Sequence, residues 1–298
     1  MSFFNKVKAF NIKRLSAYLF ISTFFLSISF ADDVYTFGVF GDVGQFGPRF
    51  DHMKSSLLKS KIKNLIVTGD NIPDFSYSHE EVWKGWKEQF NFFAVAIGNH
   101  HQGYAKEVSY FSLPGEYYAK KMGQVKVIVL NSDNEKTVDQ QADFLEKELD
   151  QASEKFLFIN FHHPFVDFPN VHGWKERYYF HMRIDPILLA YKDKITSVFH
   201  GHAHLASVYS VEAIPVFVAS SGFEMKQTQI YSYYDTERNF QLSPHWMYNG
   251  GRYWLRVDAN ASDGTVWFNY VNTDLDKVTC SLVLNEKRLT PQENCFRL

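Results

Sequence analysis

The chain has few cysteines, no excess of basic residues and no long apolar run beyond residue 31. Only two cysteines occur among 298 residues, which excludes a disulfide-rich scaffold and a zinc site made of four thiolates. Lysine and arginine total 31 against 33 aspartates and glutamates, so the charge balance predicts no nucleic-acid partner. Beyond residue 31, no segment reaches the roughly 20 apolar residues that a membrane-spanning helix requires.

Residues 1–31 have the pattern of a secretory signal peptide. Basic residues such as Lys6 precede the uncharged run Ala17–Phe30. Small residues, Ser29 and Ala31, occupy the third and the first position before a cleavage site that lies between Ala31 and Asp32. A membrane anchor is the alternative, but the uncharged run is short for a bilayer span of roughly 20 residues. We therefore expect a secreted or periplasmic protein with one domain over residues 32–298 and no stable membrane span after cleavage.

The two cysteines, Cys280 and Cys295, lie near the C-terminus. In an oxidising compartment, this position favours one disulfide that closes a terminal loop. A metal site is a weaker alternative, because two thiols do not complete a tetrahedral coordination sphere. Two free structural cysteines stay open as a third interpretation.

Short apolar runs recur along the chain, and most are continuous rather than alternating. Such runs are typical of strands that are buried on both faces of a sheet covered by helices. They are Val34–Phe40, Asn64–Val67, Phe92–Ile97, Val125–Leu130, Phe156–Asn160, Ile195–Phe199 and Ile214–Ala219.

Four stretches between these runs have apolar residues at helical spacing: Phe50–Lys61, Val82–Phe90, Val138–Gln151 and Ile184–Tyr191. The alternation of strand and helix patterns predicts an α/β fold. From about residue 250 onward, helical intervals are absent and three runs alternate in polarity. This part of the chain, 250–298, is predicted to add antiparallel strands to the same domain.

Polar residues that bind metals follow five of the predicted strands. The segments are Gly41-Asp42-Val43-Gly44, Gly69-Asp70-Asn71, Gly98-Asn99-His100-His101, His162-His163-Pro164 and His200-Gly201-His202-Ala203-His204. Each segment alone is weak evidence, since Gly-Asp is a common turn and a lone histidine is usually a core residue. Sites in α/β sheets form at the carboxyl ends of strands, so the five segments are expected to converge.

The residue types in these segments suit iron, zinc or manganese, which accept carboxylate, amide and imidazole ligands. Two aspartates, one asparagine and three histidines exceed what one ion needs. A pair of ions about 3.5–4 Å apart would use them all, with Asp70 as the bridge.

In order and spacing, the segments resemble the motifs of the calcineurin-like metallophosphoesterases, and among these the purple acid phosphatase branch. The matches are Asp42-Val43-Gly44, Gly69-Asp70-Asn71, Gly98-Asn99-His100, Ile159-Asn160-Phe161-His162 and Gly201-His202-Ala203-His204. The resemblance covers about residues 34–222 and implies a sandwich of two mixed β-sheets flanked by helices.

The resemblance also implies roles for these residues. Asp42, Asp70 and His204 would bind the first metal, and Asp70, Asn99, His162 and His202 the second. His100 would protonate the leaving oxygen or donate to the phosphoryl group. A metal-bound hydroxide would attack a phosphate monoester directly, and the partner would be a small phosphorylated substrate.

This sequence departs from the family pattern at three positions. Pro73 stands where the purple enzymes have a metal-binding tyrosine, and Gly44 stands where the broader superfamily has a histidine. The first metal therefore lacks one ligand by either pattern. His101 replaces the usual acid, and it is predicted either to contact substrate or to support a neighbouring group. His163 is expected either to face the leaving group or to fill space.

Two other functions stay open at this stage. The same metal pair would also serve a phosphodiesterase, and a monoesterase needs cations for the extra negative charge, for which Arg49 and Lys106 are candidates. A non-catalytic binding protein on the same scaffold is the alternative from another class, and the weakened first metal site motivates it.

Overall fold

Two mixed β-sheets flanked by helices make up the fold, as a computed structural model shows. The structure describes residues 33–43, 47–168, 173–220, 231–248, 252–292 and 295. The fold-class prediction is confirmed. The predicted signal peptide lies outside the described residues.

The elements follow one another in a βαβ pattern that gives way to consecutive strands. In chain order they are β1 (Val34–Phe40), α1 (Pro48–Lys59), β2 (Asn64–Val67), α2 (His79–Val82), β3 (Asn91–Val95), α3 (Tyr104–Phe111), β4 (Tyr118–Met122), β5 (Val125–Val129), α4 (Val138–Asp150), β6 (Phe156–Asn160), α5 (Tyr178–Ala190), β7 (Ser197–His200), β8 (Ala206–Val211), β9 (Ile214–Ala219), β10 (Tyr233–Asp235), β11 (Phe240–Tyr248), β12 (Tyr253–Asn260), β13 (Val266–Asn272), β14 (Lys277–Asn285) and β15 (Arg288–Pro291). Short 3₁₀ helices at Glu135–Thr137 and Trp174–Arg177 precede α4 and α5.

The strands that carry the metal-binding segments are divided between the two sheets. One sheet has the order β15-β14-β13-β12-β1-β2-β3, and the other has the order β10-β11-β8-β9-β7-β6-β5-β4. β1, β2 and β3 are parallel to one another, and so are β5, β6, β7 and β9. β12 pairs antiparallel with β1, and β13, β14 and β15 each pair antiparallel with the strand before them.

Aromatic packing joins the two sheets across the core. Phe217 on β9 stacks on Phe268 on β13 with ring centroids 4.1 Å apart, and both side chains are fully buried. Phe158 and Phe199 stack beside them on the neighbouring strands. Each buried phenylalanine contributes about 1.5–3 kcal/mol of transfer free energy, so this packing stabilises the contact between the two sheets.

The predicted helix over Val82–Phe90 is wrong. The helix covers His79–Val82, and residues 83–89 form turns in which Trp86 N–H donates to the Trp83 carbonyl. Gly85 has a φ of +70°, which no right-handed helix allows. The apolar spacing instead reflects the burial of Trp83 and Trp86 against Phe50.

Helix α5 begins earlier than the apolar pattern predicts and continues through Pro186. A proline inside a helix removes one hydrogen bond and disfavours the turn that precedes it. Burial of Phe180, His181 and Ile184 on one side of the helix outweighs this cost.

Cys280 and Cys295 form the predicted disulfide. Cys280 is fully buried on β14, and Cys295 follows β15, so the bond links Cys295 to β14. Among the residues that the structure describes, no helix has the length and apolar character to cross a membrane.

Replacing Cys295 with serine is expected to lower the free energy of unfolding by about 3 kcal/mol, because the bond closes a loop with a sequence separation of 15. Thermal and denaturant unfolding of the wild type and of Cys295→Ser would measure the difference, with the reduced wild type as control. An unchanged melting temperature in both samples would contradict a stabilising role for the disulfide.

Candidate metal centre

The loops after β1, β2, β3, β6 and β7 meet at one edge of the sandwich, where the two sheets approach each other. The Asp42 N–H donates to the Gly69 carbonyl at 3.0 Å, and the Gly201 N–H donates to the His162 carbonyl at 3.0 Å. Gly41 forms an isolated bridge with Ser220 of the other sheet. Main-chain hydrogen bonds thus tie together the loops that carry the predicted ligands.

Four of the predicted ligands have left-handed backbone conformations, which are uncommon for residues other than glycine. Their φ angles are 55° for Asp42, 50° for Asp70, 63° for His202 and 53° for His204. Such strain clusters at functional sites, where the surrounding structure holds it in place. These backbone conformations cost free energy, and the loops adopt them to direct the four side chains inward.

The side chain of His162 lies at the centre of this cluster. Its Nδ1 donates to the Thr68 carbonyl at 2.8 Å, because a carbonyl can only accept. Its Nε2 lies 3.1 Å from Asp70 Oδ1, 3.2 Å from Asn99 Oδ1 and 3.2 Å from His202 Nδ1. Side-chain atoms of the other three residues predicted to bind the second metal therefore surround His162 Nε2.

The remaining predicted ligands of the first metal lie beside this point. Asp42 is buried and accepts hydrogen bonds from the His202 N–H at 2.9 and 3.0 Å. His204 Nε2 lies 3.6 Å from Asp42 Oδ1. Ligand atoms of Asp42, Asp70 and His162 all lie within 4.8 Å of one another. The structure thus brings all six residues together, and their role as metal ligands stays a prediction.

Burial makes the charges in this cluster interdependent. Burial, opposed by the nearby His162, raises the pKa of Asp42 to about 7. Burial would also raise the pKa of Asp70, but attraction to His162 and a hydrogen bond from it hold that pKa well below its usual range. For His162, burial opposes the charge, yet Asp70 and Asp42 raise its pKa to about 9.

Two buried carboxylates thus share a single buried imidazole as their principal source of positive charge. A divalent cation would relieve this shortage, and the oxygen and nitrogen donors fit iron, zinc or manganese. The residues present therefore fit the metals that the sequence predicts.

His100 and His101 lie on the solvent side of the cluster. His100 donates its N–H to Asp70 Oδ1 at 2.9 Å and its Nδ1–H to the Pro73 carbonyl at 2.7 Å. His101 Nε2 lies 3.3 Å from Asp133 Oδ2. His100 is thus adjacent to the predicted metal ligands, whereas His101 is directed toward a separate carboxylate.

Sequence reasoning missed a second group of polar residues around this carboxylate. Asp133 accepts from Tyr104 Oη at 2.9 Å, pairs with Arg177 and lies 4.0 Å from His163 Nε2. Asn131-Ser132-Asp133-Asn134 follows β5 as the five predicted metal-binding segments follow their strands. A polar segment directly after a strand could have indicated these residues, although this segment matches none of the motifs quoted for the family.

The 3₁₀ helix Trp174–Arg177 contributes two further residues to the site. Glu176 Oε2 lies 2.7 Å from His202 Nε2, and Arg177 reaches Asp133. Their contacts depend on tertiary packing, so no pattern in the sequence indicated them.

Other residues from the sequence analysis lie elsewhere. Lys106 lines a surface cleft with Ser78, His79 and Tyr110 rather than the ligand cluster. Gly44 and the side chain of Arg49 lie outside the described residues. Pro73 supplies only its carbonyl, which accepts from His100.

Glycines leave space for the aspartate side chains. A Cβ on Gly98 would collide with the carboxylate of Asp70, and a Cβ on Gly201 would lie 2.5 Å from Asp42 Oδ2. Both glycines belong to the metal-binding segments. Their small size is therefore a condition for the observed convergence of ligands.

Gly98→Ala is expected to displace the Asp70 carboxylate and weaken divalent-metal binding by at least roughly tenfold, the effect of losing about 1.4 kcal/mol. Calorimetric titration with Zn²⁺ or Mn²⁺ would measure this change. Gly115→Ala is the matched control, because its nearest neighbour would lie at 3.5 Å. Equal affinity in both variants would contradict the predicted role of Asp70.

Comparison with known proteins identifies the fold. No family model matches the sequence, and no curated protein matches it. Among solved structures, GAP50, described as the anchor in the inner membrane complex of Plasmodium, matches with a TM-score of 0.59 and 13% identity over 83% of this chain and 87% of its own. PhoD matches with a TM-score of 0.54 and 12% identity over 87% of this chain and 71% of its own. The similarity to these structures is one of fold, an α/β sandwich of the metallophosphoesterase type.

Proposed function

We propose that this chain is a secreted or periplasmic metal-dependent phosphoesterase, similar to the purple acid phosphatases, that hydrolyses phosphate monoesters. The observation that carries the proposal is the convergence of Asp70, Asn99 and His202 on His162 Nε2 within 3.1–3.2 Å. The shared fold adds support, and the disulfide fits an oxidising compartment.

Two metal ions would occupy the cluster. Asp42, Asp70 and His204 would hold the first ion, and Asp70, Asn99, His162 and His202 the second, with iron, zinc or manganese as the candidate metals. When bound, such a pair activates water as a nucleophile and spreads the charge of the phosphoryl oxygens. The side chains described below would orient the substrate and move the proton.

His100 is suited to protonate the leaving oxygen. Its Nδ1–H is held by the Pro73 carbonyl, so a proton transferred to the leaving oxygen would come from Nε2. The ring of Phe75 lies nearly parallel to that of His100, with centroids 6.1 Å apart and an interplanar angle of 14°. The backbone contact to Asp70 and the carbonyl contact together fix the position of the acid.

Glu176 is suited to orient His202. If His202 binds a metal through Nδ1, its Nε2–H can donate to Glu176 Oε2 at 2.7 Å. Carboxylates that accept from the second nitrogen of a metal-binding histidine fix its orientation and increase its basicity. Glu176 thus acts on the metal through His202.

A non-catalytic binding protein is the second candidate function. Pro73 offers no side-chain ligand to the first metal, and GAP50, which shares the fold, is described as an anchor in a membrane complex. A phosphodiesterase that uses the same ligands is the alternative within the enzyme class. Substrate assays distinguish these three functions.

The purified protein is expected to contain two metal ions per chain and to hydrolyse an aryl phosphate faster than an aryl phosphodiester. His100→Ala should retain both ions and lose roughly 10²–10⁴-fold in turnover, because it removes only the general acid. Elemental analysis and steady-state kinetics on the same samples test both points, with the exposed His52→Ala as control. Absence of turnover with iron, zinc and manganese would favour the binding protein.

Glu176→Gln is expected to weaken metal binding by roughly 10–100-fold, as other losses of a carboxylate behind a metal-binding histidine do. Competition with a chelator would give the metal affinity independently of activity. The neighbouring Lys175→Gln serves as control, because Lys175 pairs with Glu237 at the surface. Wild-type metal affinity in Glu176→Gln would exclude the positioning role.

A further inference from the structure

His163 lies in the metal-ligand cluster, yet the family pattern assigns it no role. Its side chain is fully buried, and its ring centroid lies 4.5 Å from that of His202 and 5.0 Å from that of His162. One nitrogen of His163 lies within 4.8 Å of ligand nitrogens of both neighbours. Geometry alone therefore permits either a further metal ligand or a contact with the substrate.

Ser132 decides between these two roles because it controls which nitrogen of His163 carries a proton. Its Oγ accepts the main-chain N–H of His162 at 3.3 Å and that of His163 at 3.1 Å. A hydroxyl oxygen has two lone pairs and one proton to donate. Both lone pairs are occupied, so the hydroxyl donates its proton to His163 Nδ1, which lies 2.8 Å away.

Nδ1 of His163 is then an acceptor, and the proton of the imidazole ring lies on Nε2. A protonated nitrogen cannot bind a metal ion, because its lone pair is used. Among the residues that the structure describes, Nε2 has no hydrogen-bond partner. A buried N–H without a partner destabilises the protein, and a ligand that accepts from it would remove this penalty.

The nearest carboxylate does not satisfy this N–H. Asp133 Oδ1 is 4.0 Å from Nε2, beyond hydrogen-bond distance. Asp133 also accepts from Tyr104 and is paired with Arg177 and His101. Arg177 balances the negative charge of this carboxylate, so Asp133 would repel an anion beside His163 only weakly.

We propose that His163 is a further substrate-contacting residue, whose Nε2–H donates a hydrogen bond to a non-bridging oxygen of the phosphoryl group. The inference rests on the proposed function, since it requires a phosphoryl group at the adjacent metal centre. A phosphate monoester carries more negative charge on these oxygens than a diester. An additional buried donor therefore favours the monoester as substrate.

Two variants of His163 separate donation at Nε2 from the other roles. In His163→Asn the amide replaces Nδ1 and nothing replaces Nε2, whereas in His163→Gln the longer amide reaches the position of Nε2. Binding of inorganic phosphate to the metal-loaded protein would be measured by calorimetry, together with metal content. His181→Asn is the matched control, because His181 is equally buried and its Nδ1 pairs with Asp185.

We expect His163→Asn to bind phosphate at least roughly tenfold more weakly, as the loss of one hydrogen bond to a charged group predicts. His163→Gln should recover most of the affinity, and both variants should retain the metal content of the wild type. His181→Asn should bind phosphate as the wild type does.

Loss of a metal ion in His163→Asn would overturn the proposal in favour of a ligand role. Wild-type phosphate affinity in His163→Asn, or equal weakening in the Asn and Gln variants, would overturn it in favour of a packing role. Absence of ester hydrolysis by the wild type would contradict the proposed function alone, because phosphate binding would still report on His163.

Discussion

The burial of Asp42 and Asp70 beside His162 is the constraint on which the rest of this structure depends. Two carboxylates with little access to water cannot both be charged unless positive charge is supplied next to them. The fold places them at the point where β1, β2 and β6 end, so the charge conflict arises from the convergence of two sheets. Left-handed backbone conformations in the loops and adjacent glycines maintain this arrangement. A bound cation would account for the burial of two carboxylates at one place.

A second layer of interactions supports the residues around this centre. The guanidinium of Arg238 lies 3.9 Å from the ring centroid of Trp174 and pairs with Asp185 and Asp235, all at buried positions. Trp174 begins the 3₁₀ helix that carries Glu176 to His202 and Arg177 to Asp133. Packing outside the ligand cluster therefore helps to hold the 3₁₀ helix whose side chains contact His202 and Asp133.

The sequence predicts the parts of this molecule that local patterns determine. Continuous apolar runs indicated β1, β2 and β6 with their observed bounds, and residues after the strands indicated the clustered side chains. The sequence does not indicate the turns at residues 83–89, because the apolar residues there have helical spacing and Gly85 alone departs from the pattern. Glu176, Arg177 and the donor role of Ser132 could not be predicted, since each depends on contacts between segments distant in the chain.

The most direct test of the metal centre is a crystal structure of the protein loaded with manganese, with the ions located by anomalous scattering. We expect two ions about 3.5–4 Å apart, with Asp70 between them and Asn99, His162 and His202 around one of them. A protein that binds no manganese, zinc or iron at this cluster, or binds it elsewhere, would contradict the central claim.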